Sequence, residues 1–278
     1  TLVTGGEGFI GSRIVAETNA QSFDLKSGQD ILNQTQLSDA VRGKKVIWHC
    51  AAKISVPESV SSPDEYYRTN VEGTKSVINI AQGTSAKIIF SSSAAVYGGA
   101  SYPVSETERL KPNSPYAENK RDAEELLRES GLSTVILRYF NVYGPGQSEA
   151  YAGVIRIFIR KALRGEDLVI CGDGEQVRDF VFISDVVRAN ILAREYAGRS
   201  GEIFNIASGT ETSVLNLAKL IIELTKSKSK IVFQPARAGD IVYSQADIGK
   251  ARKVLGWQAE VKLEDGLQQT IDSLSQEG

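Results

Sequence analysis

Thr4-Gly5-Gly6-Glu7-Gly8-Phe9-Ile10-Gly11 is the stretch whose reading decides the fold. It follows a strand-like run at residues 1–4 and opens a helical pattern over residues 10–17, with Gly5, Gly8 and Gly11 spaced as G-x-x-G-x-x-G. A turn this tight needs residues without Cβ, and a bare backbone can approach a pyrophosphate at the positive end of the helix. A glycine-rich turn with no ligand is the competing reading, and the strand-turn-helix context argues against it.

Outward from the turn, residues 22–25 form a short strand candidate, and Asp24 stands thirteen residues after Gly11. A carboxylate there accepts hydrogen bonds from adenosine ribose hydroxyls and repels a 2′-phosphate, which favours NAD over NADP. Its plainer role is that of a turn aspartate before Lys26-Ser27-Gly28. Gln29-Asp30-Ile31 arrives sooner than a full helix and strand would allow, so either the connection is short or residues are missing. Asp30 and Ile31 are expected to flank the adenine. The sequence holds no methionine and Thr1 stands almost inside the first strand, as expected where methionines or loops have been omitted.

Strand-like and helical runs then alternate. Residues 46–51, 87–92 and 134–140 read as apolar strands, and residues 64–82 and 115–129 as helices. Continuous apolar strands separated by helices indicate a parallel sheet covered on both faces. The expected fold class is therefore α/β, a doubly wound parallel sheet of the Rossmann kind. After Gly144-Pro145-Gly146 the texture changes: helical patterns at 154–164, 183–196 and 214–225 accompany strand candidates at 168–171 and 230–234, with no second series of crossovers. We expect residues 1–145 to form the dinucleotide-binding domain. Residues 146–278 would form a smaller mixed α/β substrate-capping domain, with segments packing back on the first.

Composition narrows the function. The 278 residues are 41% apolar and 24% charged, ordinary for a globular chain. A net charge of −2 with both signs interspersed gives no basic footprint for nucleic acid or an anionic membrane. No apolar run approaches a bilayer span, and no signal-peptide pattern opens the sequence. Cys50 and Cys171 lie far apart in apolar runs, which argues against a disulfide framework and for a reducing, cytoplasmic address. No cluster of histidine, cysteine and carboxylates has metal-ligand spacing.

Ser114-Pro115-Tyr116-Ala117-Glu118-Asn119-Lys120 contains Tyr-x-x-x-Lys behind a plausible N-cap serine and first-turn proline. Tyr116 and Lys120 then share a helical face. A neighbouring ammonium and an oxidised nicotinamide would both favour the phenolate, moving a group of reference pKa near 10 toward use as a base. A surface Tyr/Lys pair has the same spacing. The strand at Lys87-Ile88-Ile89-Phe90 runs into Ser91-Ser92-Ser93-Ala94-Ala95-Val96-Tyr97-Gly98, and a serine at the carboxyl end of a parallel strand faces the ligand crevice. Ser93 can there bond a substrate hydroxyl and assist Tyr116. His49, the one histidine, sits in Val46-Ile47-Trp48-His49-Cys50 and reads as structural.

With these pieces in order, the chain resembles the extended short-chain dehydrogenase/reductases that act on nucleotide sugars, the UDP-galactose (UDP-glucose) 4-epimerases above all. The resemblance runs nearly end to end. Besides the glycine turn, the serine segment and Tyr116/Lys120, it covers His49-Cys50-Ala51-Ala52, Asn70-Val71-Glu72-Gly73-Thr74 and Arg138-Tyr139-Phe140-Asn141-Val142-Tyr143-Gly144-Pro145. The second half adds Gly172-Asp173-Gly174-Glu175-Gln176-Val177-Arg178-Asp179-Phe180, Arg237-Ala238-Gly239-Asp240 and Leu255-Gly256-Trp257. The resemblance implies a catalytic set of Ser93, Tyr116 and Lys120. Gly5, Gly8, Phe9, Ile10, Gly11, Asp24, Ala51, Ala52, Lys53, Asn70 and Ser91 would line the NAD site, with Tyr139 near the nicotinamide.

On the substrate side it implies that Asn141 and Arg178 hold a diphosphate, and Arg237 and Asp240 the phosphate and uridine ribose. Guanidinium forks and a carboxylate suit those groups, although Arg178 beside Asp179 would otherwise read as a surface ion pair. Ser244, seven positions after Arg237, would border the hexose, and its small size leaves room for an N-acetylated sugar. Adjacent Tyr243 and Ser244 should point to opposite faces, so only one is expected to line the sugar. The implied reaction is NAD-dependent C4 epimerisation of UDP-hexoses by a homodimer built on the 64–82 and 115–129 helices. A dehydratase or decarboxylase is disfavoured because Ala94-Ala95, rather than an acid, follows Ser93. A catalytically silent NAD-binding scaffold is the alternative of another class.

Overall fold

Alternate residues along the central strands are buried on opposite sides, which is why both faces of the sheet are covered. Leu2, Ile47, Ile88, Phe90 and Ile136 pack in one apolar cluster with Leu37, Val77, Ala123 and Leu127 from helices. Their neighbours Val3, Trp48, Ile89, Val135 and Leu137 pack in another with Ile14, Val186, Ala189 and Trp257. Side chains of period two do this only when layers lie above and below.

The computed structural model describes residues 1–149, 153–236 and 241–276. Six of its strands build this sheet: β1 (Leu2–Thr4), β2 (Gln21–Phe23), β3 (Val46–His49), β4 (Lys87–Ser93), β5 (Thr134–Tyr139) and β6 (Glu202–Ile206). All pairings are parallel, in the order β2-β1-β3-β4-β5-β6. This is the doubly wound α/β class read from the sequence. The chain leaves β1 toward β2 on one side and returns to β3 on the other, so a crevice opens between the carboxyl ends of β1 and β3.

Three elements differ from expectation. The short span after Asp24 holds a 3₁₀ turn (Leu25–Ser27) and a helix (Gln34–Val41) that leads directly to β3. That helix buries only Leu37, Ala40 and Val41, too few apolar positions to announce itself. The helix expected at 64–82 is three pieces, with a π turn at Arg68–Glu72 between Pro63–Tyr67 and Gly73–Ala81. Finally, β6 belongs by sequence to the second half, yet it pairs with β5 and completes the first sheet. The helix Ile183–Glu195 returns with it, burying Val186 and Ala189 against that sheet.

The capping half has its own core. Ile155, Phe158, Ile170, Phe182, Leu217 and Leu267 meet between the helices Val154–Leu163, Val214–Thr225 and Leu263–Gln276. Short strand pairs rim it, among them Val177–Arg178 with Tyr243–Ser244. Among the described residues no helix is long and apolar enough to cross a membrane.

Candidate active site

A cavity of about 1000 Å³ runs along the carboxyl ends of β1, β3, β4 and β5 and reaches the capping half. Its first wall is the glycine turn. Gly5 has φ +71°, and a Cβ there would lie 2.7 Å from the Ala51 amide nitrogen. A Cβ on Gly11 would lie 2.0 Å from the Gly5 carbonyl oxygen. The helix Phe9–Thr18 starts at Gly8 with no side-chain cap. Its first N–H groups are therefore directed at whatever lies beyond, and a helix start of this kind suits a pyrophosphate. Gly8, Phe9, Ile10, Asp30 and Ile31 all border the same cavity.

Asp24 is held at the wall by two backbone donors: Glu7 N at 2.9 Å on one oxygen and Lys26 N at 2.9 Å on the other. Its carboxylate thus ties the glycine turn to the following 3₁₀ turn, with lone pairs left toward the cavity that suit ribose hydroxyls. Glycine turn, uncapped helix start and fixed carboxylate together fit an adenine dinucleotide.

Ala51, Ala52 and Lys53 also line the cavity, but Asn70 does not. Its side chain takes Lys53 N on Oδ1 (2.8 Å) and donates from Nδ2 to Lys53 O (2.9 Å), so it stands behind the wall and clamps the loop that forms it. Asn70 lies in the π turn, and a buried amide is most easily satisfied by pairing with one backbone residue. His49 is equally committed. Thr74 donates its hydroxyl to Asn70 O (2.6 Å) and accepts from His49 Nε2 (3.0 Å), which leaves Nδ1 to accept from Thr4 (2.7 Å). Burial, with Lys120 nearby, pulls the imidazole down to about 3, and it stays neutral.

Ser93, Tyr116 and Lys120 converge on the cavity floor. Ser114 caps the helix Pro115–Glu129 by accepting from Ala117 N (3.3 Å), which places Tyr116 and Lys120 one turn apart, 8% and 3% exposed. Lys120 Nζ donates to Ser91 O (2.7 Å) and lies 6.0 Å from the Tyr116 ring centroid. Burial pushes Tyr116 above the ordinary phenol range, opposed by a hydrogen bond with Ser93. Burial also pulls Lys120 down to about 8, against the attraction of Cys50 and Glu124. For both groups desolvation is the largest cause. Tyr139 completes the floor, its hydroxyl 3.3 Å from Ser91 Oγ and 2.8 Å from Asn190 Nδ2.

The capping half supplies the opposite wall. Asn141 donates from both its backbone N and Nδ2 to Asp179 O, each at 3.0 Å. Arg178 donates from Nη1 to Val177 O (2.9 Å) and Ile241 O (2.6 Å) and borders the cavity. Asp179 instead turns inward, accepting from Ser208, Gly209 and Ala246. Ser244 pairs in register with Arg178 and shares its face. Tyr243 borders the cavity as well, its phenol reaching Glu211 and Gln245. The strand is two residues long, and its end leaves both neighbours at the rim. Arg237 and Asp240 lie outside the described residues. Tyr97, Gly99, Ile241 and Gln147 also border the cavity; only Tyr97 fell within a segment singled out by its sequence, and there it had no assigned role.

Comparison with known proteins agrees with this geometry. A family model described as the NAD dependent epimerase/dehydratase family matches residues 1–207. The chain is 36% identical to a UDP-glucose 4-epimerase of Mycolicibacterium smegmatis, over 98% of this chain and 97% of that one. It is 34% identical to a UDP-N-acetyl-alpha-D-glucosaminuronate decarboxylase of Bacillus cytotoxicus, over 97% and 96%. A solved UDP-glucose 4-epimerase of Thermotoga maritima, bound to UDP-glucose, superposes with a TM-score of 0.92 at 37% identity, covering 99% and 98% of the two chains.

Proposed function

From the premise that the chain belongs to the NAD dependent epimerase/dehydratase family and is an NAD-dependent enzyme, we propose that it interconverts UDP-hexoses at C4, through a 4-keto sugar. The observation that carries this reading is the convergence of Ser93, Tyr116 and Lys120 on the cavity floor. The residues after Ser93, Ala94 and Ala95, line the cavity and hold no acid. As a phenolate, the form that an oxidised nicotinamide bound beside it and the Lys120 ammonium would favour, Tyr116 can take a proton from one hydroxyl and give it back to the same oxygen. Elimination would call for a further acid and base at neighbouring carbons.

NAD, when bound, supplies the oxidant of the first half-reaction and the reductant of the second. The glycine turn and Asp24 would hold it, with Tyr139 at its reactive end. Ser93 orients the C4 hydroxyl and Tyr116 removes its proton. Lys120 places a buried donor behind them. Arg178 and Asn141 retain the diphosphate while the keto sugar turns to present its other face, a use of binding energy remote from the reacting carbon. Arg237 and Asp240 are assigned to the phosphate and uridine ribose on the same reading.

The sugar is read as a neutral hexose. Of the described cations lining the cavity, Lys26, Lys53 and Arg68 belong to the β1–β3 end and Lys120 to the floor. Arg178 is then taken by the diphosphate, and none is left for a uronate carboxylate. Ser244 leaves space for an acetamido group, so both the UDP-glucose/UDP-galactose and the N-acetylated pair are assigned as substrates. A cytoplasmic homodimer completes the reading, with light scattering as its check.

The test is incubation of purified protein with those four UDP-sugars and UDP-glucuronate, with products identified by NMR. C4 epimers are expected from the neutral sugars, and Ser244→Tyr should suppress the acetamido pair alone. Absence of any C4 epimer, or release of carbon dioxide from UDP-glucuronate, would overturn the reading.

A further inference from the structure

From the floor that carries Ser93, Tyr116 and Lys120 a chain of buried polar side chains runs into the interior; this chemistry does not use it, although Ser92 and Tyr97 touch the cavity. Glu124 lies one turn beyond Lys120 on the same helical face. It accepts from Arg138 Nε at 2.9 Å and Nη2 at 2.6 Å, and from the hydroxyl of Ser92, the neighbour of Ser93. Arg138 Nη1 donates to the Tyr97 hydroxyl (2.9 Å), which donates to Asn205 Oδ1 (2.7 Å). Asn205 Nδ2 in turn donates to Val104 O (2.9 Å) and Asp247 O (3.3 Å). Ser92, Glu124, Arg138, Tyr97 and Asn205 are each at most 3% exposed.

The far end of this run is where two loops of the sugar wall are joined. Val104 N donates to Gln245 O (3.0 Å), Asp247 N to Val104 O (2.9 Å) and Ala100 N to Tyr243 O (3.2 Å). A buried ion pair contributes little net stability over an apolar pair of the same shape, so stability alone does not account for it. What a bidentate fork does supply is direction, since it fixes two elements in one register.

We propose that Glu124 and Arg138 are positioning residues, which hold the helix of Tyr116 and Lys120 in register with the strand end of Ser93 and pass that register through Tyr97 and Asn205 to the loops at 98–104 and 243–247. The inference rests on the reading above, which makes those loops the sugar wall.

Removing one partner alone strands the other charge in the interior and is expected to cost folding. The test therefore uses the paired variant Glu124→Gln/Arg138→Met, which keeps volume and leaves no orphan charge, beside Tyr97→Phe. Each is measured for turnover of the neutral UDP-sugars, for NAD released on denaturation, and for amide exchange over residues 91–104. The paired variant should keep its NAD but lose kcat by about 100-fold, the effect of a misplacement of the order of 1 Å at the reacting atoms. It should also raise KM as Tyr97→Phe does, because it removes the Arg138–Tyr97 hydrogen bond. Tyr97→Phe should keep kcat and raise KM by about 3- to 10-fold, through loss of the two hydrogen bonds that its hydroxyl makes in the link to the sugar wall. Exchange over 91–104 should rise in both.

A folded paired variant with wild-type kcat, or a comparable loss of kcat in Tyr97→Phe, overturns the proposal. If the paired variant does not fold, unchanged KM and exchange in Tyr97→Phe overturn it. An inactive wild type would sink the proposed reaction instead, while the exchange measurement still decides the positioning role.

Discussion

Two alanine substitutions in the glycine turn should separate folding from cofactor binding. In Gly5→Ala the new methyl enters a residue at φ +71°, which costs an L side chain roughly 1–2 kcal/mol. It also lies 2.7 Å from Ala51 N, 2.8 Å from Ala51 Cα and 2.9 Å from the Cys50 carbonyl carbon. All three are backbone, so the ends of β1 and β3 must part, at the roughly 1–3 kcal/mol of an overpacked core. The sum is roughly 2–5 kcal/mol, or a Tm lower by about 5–15 °C at the size-dependent slope for large domains. Gly8→Ala differs in kind. Gly8 has φ −80°, and a Cβ would meet only Gly5 O, at 3.2 Å. The free protein should therefore lose only about 1 kcal/mol, since the Gly5 carbonyl must give by a few tenths of an ångström and alanine is a poorer N-cap than glycine. But Gly8 borders the cavity at the uncapped helix start, where a methyl occupies the space of the pyrophosphate. The stabilisation of about 2.7 kcal/mol that NAD gives at a hundred times its Kd should then be lost. Thermal unfolding of wild type and both variants, with and without NAD, reads all four quantities. Gly8→Ala unfolding as early as Gly5→Ala, or keeping the full NAD-dependent shift, would refute the division of roles.

Further outcomes follow from the same site. Tyr116→Phe keeps the buried ring and should keep NAD binding, with kcat lower by about 10²–10⁴-fold; turnover near wild type would remove Tyr116 as the base. Asp24→Asn should relax the preference for NAD over NADP by about tenfold through loss of like-charge repulsion, and direct titration of both cofactors checks it. Lys120 has its folded pKa pulled down to about 8 by burial, against 10.5 for the ordinary side chain. Between those values the unfolded chain binds a proton that the folded one does not, so stability rises as pH rises through that window. Denaturant titrations across it should show the rise in wild type and its loss in Lys120→Met.

How much was legible depended on whether a position was set by local chain or by distant packing. The glycine turn, Asp24 and Tyr116/Lys120 were readable because tight turns and one-turn helical spacings are local constraints. The Glu124–Arg138 pair was not, although Glu124 stands four residues after Lys120. An acidic residue on a helix is usually solvated, and only the arrival of β5 beneath it shows otherwise. Asn70 was assigned to the cofactor wall by its motif. Its place one layer back follows from the π turn, which leaves no periodic mark in the sequence. β6 was missed because Glu202-Ile203-Phe204-Asn205-Ile206 alternates too briefly, with a buried asparagine where an apolar residue would signal core.

The pairing of β6 with β5 also sets a schedule for synthesis. About 60 residues separate the two strands, and at ribosomal rates of about 5–20 residues per second that is ~3–12 s. Throughout that interval β5, with Val135, Ile136 and Leu137 each no more than 1% exposed in the finished protein, carries an unpaired hydrogen-bonding edge. An apolar edge of that kind is a template for strands of other chains. A fragment ending at residue 145 should therefore aggregate, whereas one extended through β6 closes the edge. The nascent enzyme must thus be guarded until well into the making of its second half.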